Sequence, residues 1–389
     1  MKRFNKLYNL INERKTLLGV GPMSLNCVNA AINISNKNNI PIILIASRRQ
    51  IDDKIFGGGY VNNWNTKDYV DYINKRDKKK NIFLARDHGG PWQNNQEILK
   101  KYSTKKALES AKLSFKSDIN NNFEIIHIDT CIDIEKKINF NNSFDRLCEL
   151  YEFCHEYAKK KKKEIIFEIG TEEQSGSTNT PNELEETLKK FYKFCDKNKY
   201  QRPKFVVIQS GTRVAEMKNI GSFESPLRIE NELPVEIQLP KMLEICKKYD
   251  IFMKEHNADY LNNDSLEWHP KLGIHSANVA PEFGVTETKS LVYILKKANL
   301  DIYLDEFLEL SYSSNKWKKW MLPNSKANDV EKAIIAGHYV FSDHKFVNLK
   351  KKLIKILAKK NINLEKYLEK EITKSILRYL KSFRLINKI

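Results

Sequence analysis

No apolar run in this 389-residue sequence approaches the ~18–20 residues needed to span a bilayer. The start, Met1-Lys2-Arg3-Phe4-Asn5-Lys6, leads into an amphipathic segment and not an apolar h-region, so a cytoplasmic protein without membrane attachment is expected. The six cysteines (Cys27, Cys131, Cys148, Cys154, Cys195 and Cys246) include no CxxC pair. That scatter argues against a disulfide framework and a thiolate zinc knuckle, and predicts reduced thiols. Pro/Gly/Ser-rich linkers and solenoid repeats are missing too. Gly19-Val20-Gly21-Pro22 lacks the GxGxxG spacing of a dinucleotide-binding turn.

What is present is charge and core. Lys and Arg number 67 against 49 Asp and Glu, a formal +18. The excess is diffuse and mostly Lys, in a sequence crowded with Lys, Asn and Ile, and the run from Lys159 to Lys163 reads as the solvated end of a helix. Clustered Lys and Arg would be the footprint of a nucleic-acid partner, and none is expected here. Hydrophobic residues at 41% and aromatics at 11% suffice for a sizeable core despite 30% charged residues, which excludes general disorder.

Short β-branched runs alternate with stretches of helical period. The candidate strands are 17–24 (LLGVGPMS), 41–48 (PIILIASR), 81–88 (NIFLARDH), 123–130 (FEIIHIDT), 164–171 (EIIFEIGT), 205–211 (FVVIQSG), 251–256 (IFMKEH) and 272–280 (LGIHSANVA). Helical segments such as 65–76, 93–116, 143–163, 181–197 and 235–249 can carry the crossovers. Eight βα units predict an α/β fold, a (β/α)8 TIM barrel over residues 1–300, with 289–297 as its last helix. A C-terminal helical extension, 301–389, is expected to pack on the barrel. Its tail alternates Leu and Ile with Lys at helical spacing (Leu353, Ile356, Leu357, Leu364), as a helix covering the barrel or a subunit contact would.

In such a barrel the active site lies at the carboxyl ends of the strands. Those ends carry Arg48 and Arg49, then Asp87-His88-Gly89-Gly90-Pro91, Asp129, Glu172 and Glu173, Arg213, Glu255-His256 with Asp259, and His275 with Asn278. Three imidazoles (His88, His256, His275) and the carboxylates Asp129 and Glu172 facing one bowl would be costly to bury uncompensated, and a divalent cation supplies the compensation. Nitrogen and oxygen donors without thiolate make Zn2+ the expected metal, with Mn2+ or Co2+ as alternatives; His88, Glu172, His256 and His275 are its expected ligands. Asp87, Asp129 and Glu172 are the expected catalytic carboxylates.

Arg48, Arg49 and Arg213 stand at the same mouth. Arginine binds phosphate or carboxylate bidentately, and Gly57-Gly58-Gly59 could let backbone amides approach an anion. Arg48, Arg49, Gly58, Gly59, Arg213 and Asn278 are therefore the candidate substrate contacts, for a phosphorylated or carboxylated substrate. The competing reading pairs the arginines with Asp52, Asp53 or Glu216.

The segments IPIILIASRRQIDDKIFGGGYVNNW, ARDHGGPWQN, IIHIDTC, FEIGTEE, VVIQSG, EHNADYLNNDSL and HYVFSD, in order from about Leu17 to about Asp343, resemble the family of non-catalytic subunits of class II tagatose-bisphosphate aldolase. Relatives of that family include metal-dependent C4 epimerases of ketose phosphates and uronates. The resemblance places the family's Asp-His pair on Asp87 and His88 and its His-x-Asp on His127 and Asp129. Its Gly-Thr-Glu falls on Gly170 to Glu172, and its last His and Asp fall on His256 and Asp259. The chain departs from the pattern at Gly21-Pro22-Met23-Ser24, Ile45, Arg48-Arg49, Ala85-Arg86 and Asn278-Val279-Ala280-Pro281. The ligand set is kept while the substrate-facing set changes, which leaves the sugar open.

Taken with the barrel, the resemblance implies a metal-dependent sugar-phosphate enzyme, a C4 epimerase working by retro-aldol and aldol steps on a phosphorylated ketose. The alternatives are a class II aldolase, or a non-catalytic subunit stabilising one. A catalytic aldolase subunit or a second copy of this chain is the expected protein partner.

Overall fold

The computed structural model describes residues 3–137, 139–170, 178–224 and 234–387. Eight parallel strands close into a barrel: β1 (Leu17–Val20), β2 (Ile42–Ser47), β3 (Ile82–Gly89), β4 (Ile125–Asp129), β5 (Ile166–Gly170), β6 (Phe205–Val207), β7 (Phe252–Glu255) and β8 (Ser276–Val279). Neighbours in sequence are neighbours around the ring, and β1 pairs with both β2 and β8. This is the (β/α)8 barrel expected from the spacing. A two-stranded antiparallel hairpin, Val214–Ala215 with Lys218–Asn219, is inserted after β6. No helix among the described residues is long and apolar enough to cross a membrane, and no disulfide joins any of the six cysteines, all of which are described.

The strands read as near-continuous apolar runs because helices cover one face and the barrel interior the other. Leu17, Ile43, Ile45, Phe83, Ala85, Ile125, Ile166 and Phe205 fill the lower interior. The first helix, Asn5–Asn12, sets Leu7 and Ile11 beneath them and seals the amino end. Because side chains alternate along a strand, the residues two positions further on point into the same lumen one layer higher. That layer is polar: Asp87 follows Ala85, His127 follows Ile125, Glu168 follows Ile166, and Lys254 follows Phe252.

After β8 the chain runs through Pro281–Lys297, Asp301–Ser313, Asp329–Ala336 and His344–Ala358, which share a second apolar cluster around Leu295, Phe307, Phe346 and Leu353. The last helix, Leu364–Ser382, behaves differently. It packs on the first barrel helix, Leu25–Asn38, and on Pro281–Lys297. Ile372, Ile376, Tyr379 and Leu380 join the main barrel core. This segment, grouped with the extension on its sequence, thus takes a place in the outer ring.

Candidate metal centre

Asp87, His127, Glu168 and His256 project into the carboxyl end of the barrel, and donor atoms of all four lie within 4.8 Å of one another. His88, His127 and His256 form a second such group. The three rings make a triangle with centroids 4.9, 5.2 and 5.5 Å apart. Strand alternation alone would send Asp87 and His88 to opposite faces. The β3–β4 register shifts between Arg86 and Gly89, and His88 adopts φ 45°, a left-handed conformation uncommon for a non-glycine residue. This irregularity turns both side chains to the centre, as bulges near active sites do.

Each imidazole is oriented by a neighbour. His88 Nδ1 lies 2.6 Å from Asp129 Oδ2, which also accepts from Gln93 Nε2 at 2.9 Å. Asp129 Oδ1 accepts from the Cys131 amide at 2.9 Å. Both Asp129 oxygens are thus committed, and His88 Nε2 faces the centre, 3.8 Å from Asp87 Oδ2, a carboxylate–imidazole arrangement usual behind metal ligands. His127 Nδ1 accepts from the His88 amide at 3.2 Å. His127 Nε2 is buried without a partner. His256 Nε2 lies 3.4 Å from Glu168 Oε1 and 3.7 Å from Asp87 Oδ1.

A second signal in the same layer lies on β7. Lys254 Nζ donates to Glu168 Oε2 at 2.6 Å, both side chains being almost fully buried. Burial pushes the Glu168 carboxyl up, but Lys254 and then His127 and His256 outweigh it and bring its pKa down to about 2. Burial also pushes Asp87 up, and His88, His256 and His127 together hold it well below the usual carboxylate range. For His88, burial lowers the pKa and Asp87 with Asp129 raises it, to about 9. His256 is pushed down, chiefly by burial. The bowl therefore holds ionised carboxylates facing imidazoles, a donor set that fits a divalent cation.

The remaining sequence candidates divide. Asn278 reaches the centre, donating to Asp87 Oδ1 at 3.1 Å while its own Oδ1 is buried without a partner. Glu172 lies outside the described residues. His275 is not brought to the centre. Gly273, at φ 93°, ends the helix Asn263–Leu272, so β8 starts only at Ser276 and His275 sits at its amino end. There its Nδ1 accepts from the Met253 amide at 3.0 Å, and burial lowers its pKa to about 4. Asp259 caps the helix after β8, accepting from the Ala280 and Glu282 amides.

Arg48 is a structural ion pair, bound to Asp52 at 3.0 Å and Glu97 at 2.6 Å with both partners buried. Its neighbour Arg49 has no such partner among the described residues, and its Nε is buried and unsatisfied. Gly58 and Gly59 spend their amides inside their own loop, on Asp53 O and Trp64 O. A Cβ on Gly59 would stand 1.9 Å from Gln50 O, so packing explains this glycine without an anion. Arg213 is exposed on the inserted hairpin. Glu168, Lys254 and Gln93 escaped the sequence reading because attention to strand ends passed over residues one layer down. His127 entered only through the family pattern.

Residues 9–227, more than half of the chain, match the family model described as D-tagatose-1,6-bisphosphate aldolase subunit GatZ/KbaZ-like. The chain belongs to that family. A comparison with curated proteins gives no match. Among solved structures, a probable tagatose 6 phosphate kinase from Sinorhizobium meliloti superposes with a TM-score of 0.72 at 14% identity, covering 95% of this chain and 100% of that one. Fructose-bisphosphate aldolase from Campylobacter jejuni gives 0.56 at 12%, covering 99% and 95%. Fructuronate-tagaturonate epimerase from Cohnella laeviribosi gives 0.57 at 11%, covering 95% and 81%. At such identities these likenesses establish the barrel fold of this GatZ/KbaZ-like chain.

Proposed function

We propose that this GatZ/KbaZ-like protein binds a divalent cation, Zn2+ suiting its donors best, and epimerises C4 of a ketose that carries an anionic end group. The observation that carries the reading is the convergence of Asp87, His88, His127, Glu168 and His256 at the catalytic end of the barrel. His127, His256 and Glu168 would hold the ion, with His88 as a further donor. Bound there, the cation supplies Lewis-acid stabilisation of the negative charge that develops at a ketose carbonyl.

The chain's own groups do the rest. Asp87, kept ionised, takes the proton of the C4 hydroxyl as general base, and the C3–C4 bond breaks to an enediolate and an aldehyde. If the aldehyde turns and is attacked on its other face, Asp87 returns the proton and C4 is inverted. Asp129 fixes the orientation of His88, and Lys254 keeps Glu168 charged. Asn278 Oδ1, buried and free, can accept from a substrate hydroxyl.

Membership of a family described as an aldolase subunit favours a second reading, in which the barrel supports a separate catalytic chain. Purified protein loaded with Zn2+, Mn2+ or Co2+ and incubated with ketose phosphates and keto-uronates separates the two by NMR. A C4-epimer signal is expected; triose signals would make it an aldolase. Silence from every metal-loaded sample would sink the enzyme reading and favour the subunit.

A further inference from the structure

Glu168 reaches the centre from β5 with its two oxygens facing different partners. Oε1 lies 3.4 Å from His256 Nε2 and 3.7 Å from His127 Nδ1. Oε2 turns the other way and accepts from Lys254 Nζ at 2.6 Å. The two side chains are 1% and 3% exposed, so water does not compete for that bond. Strand β6 stands between β5 and β7, with Val207 paired to Lys254. Neighbouring strands lie about 4.8 Å apart, so the gap from β5 to β7 is roughly 10 Å, which the long stem of a lysine can bridge. Lys254 Nζ has no other acceptor among the described residues.

The oxygens left to face the imidazoles are few. Asp87 Oδ1 accepts from Asn278 Nδ2 at 3.1 Å. Both Asp129 oxygens are taken up behind His88, one by His88 Nδ1 and Gln93 and the other by the Cys131 amide. The centre therefore presents three imidazoles, Asp87 and one oxygen of Glu168, backed by a fixed positive charge 2.6 Å from the other oxygen.

Such a set of donors sorts divalent ions. Mg2+ keeps near-octahedral oxygen coordination, and Mn2+ likewise suits carboxylate, carbonyl and water oxygens. A carboxylate that binds through both oxygens adds a donor without adding a residue, and Lys254 denies the centre that second oxygen. Zn2+ is satisfied by four donors drawn from nitrogen and oxygen. We propose that Lys254 sets the metal selectivity of the centre: by holding Glu168 to one oxygen it favours Zn2+ over Mn2+ and Mg2+. The inference rests on the reading of the bowl as a divalent-cation site, and it assigns the selectivity to a positioning residue that does not itself touch the ion. A lysine with a merely structural role would stabilise the fold without discriminating between ions.

Full-length wild type, K254M and K254R are titrated calorimetrically with Zn2+ and with Mn2+, and the same proteins loaded with Co2+ are compared by visible absorption. Wild type should show the intense bands of four-coordinate Co2+. In K254M the methionine side chain fills similar space but offers no donor to Oε2. The ratio of Zn2+ to Mn2+ affinity should then fall about tenfold or more, and the Co2+ bands should weaken as coordination number rises. Any loss of stability acts on both ions alike and cancels in the ratio. K254R restores a donor to Oε2 and should return both readings toward wild type. An unchanged ratio and an unchanged Co2+ spectrum in K254M would overturn the role of Lys254 and leave the metal reading standing. Wild type that takes up none of the three ions would overturn both. Should K254M fail to fold, the wild-type Co2+ spectrum still decides, because weak six-coordinate bands would show that Lys254 does not restrict the centre.

Discussion

Among single residues, Lys254 and His88 carry the most physical consequence. Lys254 and Glu168 are 3% and 1% exposed, so removing one charge leaves the other buried without compensation. Lys254→Met should lower stability by about 3–5 kcal/mol in urea unfolding, while the double change with Glu168→Gln should recover part of the loss. His256→Ala removes the residue shared with His127 by both donor groups of the centre, and Zn2+ affinity by calorimetry should fall at least about a hundredfold.

The raised His88 value, about 9, gives two linked pH effects in metal-free protein. A folded-state pKa above the unfolded one stabilises fully below about 6.5, and that contribution is lost as pH rises through about 9. Metal must displace the same proton, so Zn2+ affinity should climb by about tenfold per pH unit below 9 and flatten above it. A flat Zn2+ affinity from pH 6 to 9 would exclude His88 from the site.

Among elements, the last helix and the β3 bulge matter most. Ile376 is fully buried in the barrel core, so Ile376→Ala should cost about 2–5 kcal/mol. Ending the chain at Asn363 should unfold the barrel and not merely trim a tail, which circular dichroism and thermal melting would show. A soluble, cooperatively melting chain of that length would contradict the place given to Leu364–Ser382 in the ring. The β3 bulge shows why two adjacent residues can serve one site: a strand of strict alternation would have offered Asp87 or His88, not both.

For the whole molecule, acid is the sensitive direction. Burial holds His275 near 4 and His338 near 3, both below the unfolded value. The unfolded chain takes up protons that these two cannot, so stability should fall as pH drops from about 6.5 and keep falling to about 3. The two histidines lie far from the carboxylates of the centre, one at the amino end of β8 and one against Gly284, so His338→Phe should flatten the acid limb without changing Zn2+ affinity at pH 8.

Sequence by itself indicated the eight strands, because apolar runs alternate with helical stretches eight times, more units than a doubly wound open sheet usually has; closure into a ring was shown by the fold. It also placed Asp87, His88, Asp129, His256 and Asn278 at the carboxyl end of the barrel, since strand polarity fixes which end a residue approaches. Tertiary structure decided the remainder. His275 moved to the far end because a glycine stop delayed β8 by a few residues. Glu168 and Lys254 emerged because their value lies in facing each other across β5 and β7, a relation without local signature. Arg48 and Arg49 read alike in sequence, and only the fold distinguishes the one neutralised by Asp52 and Glu97 from the one whose buried Nε meets no partner.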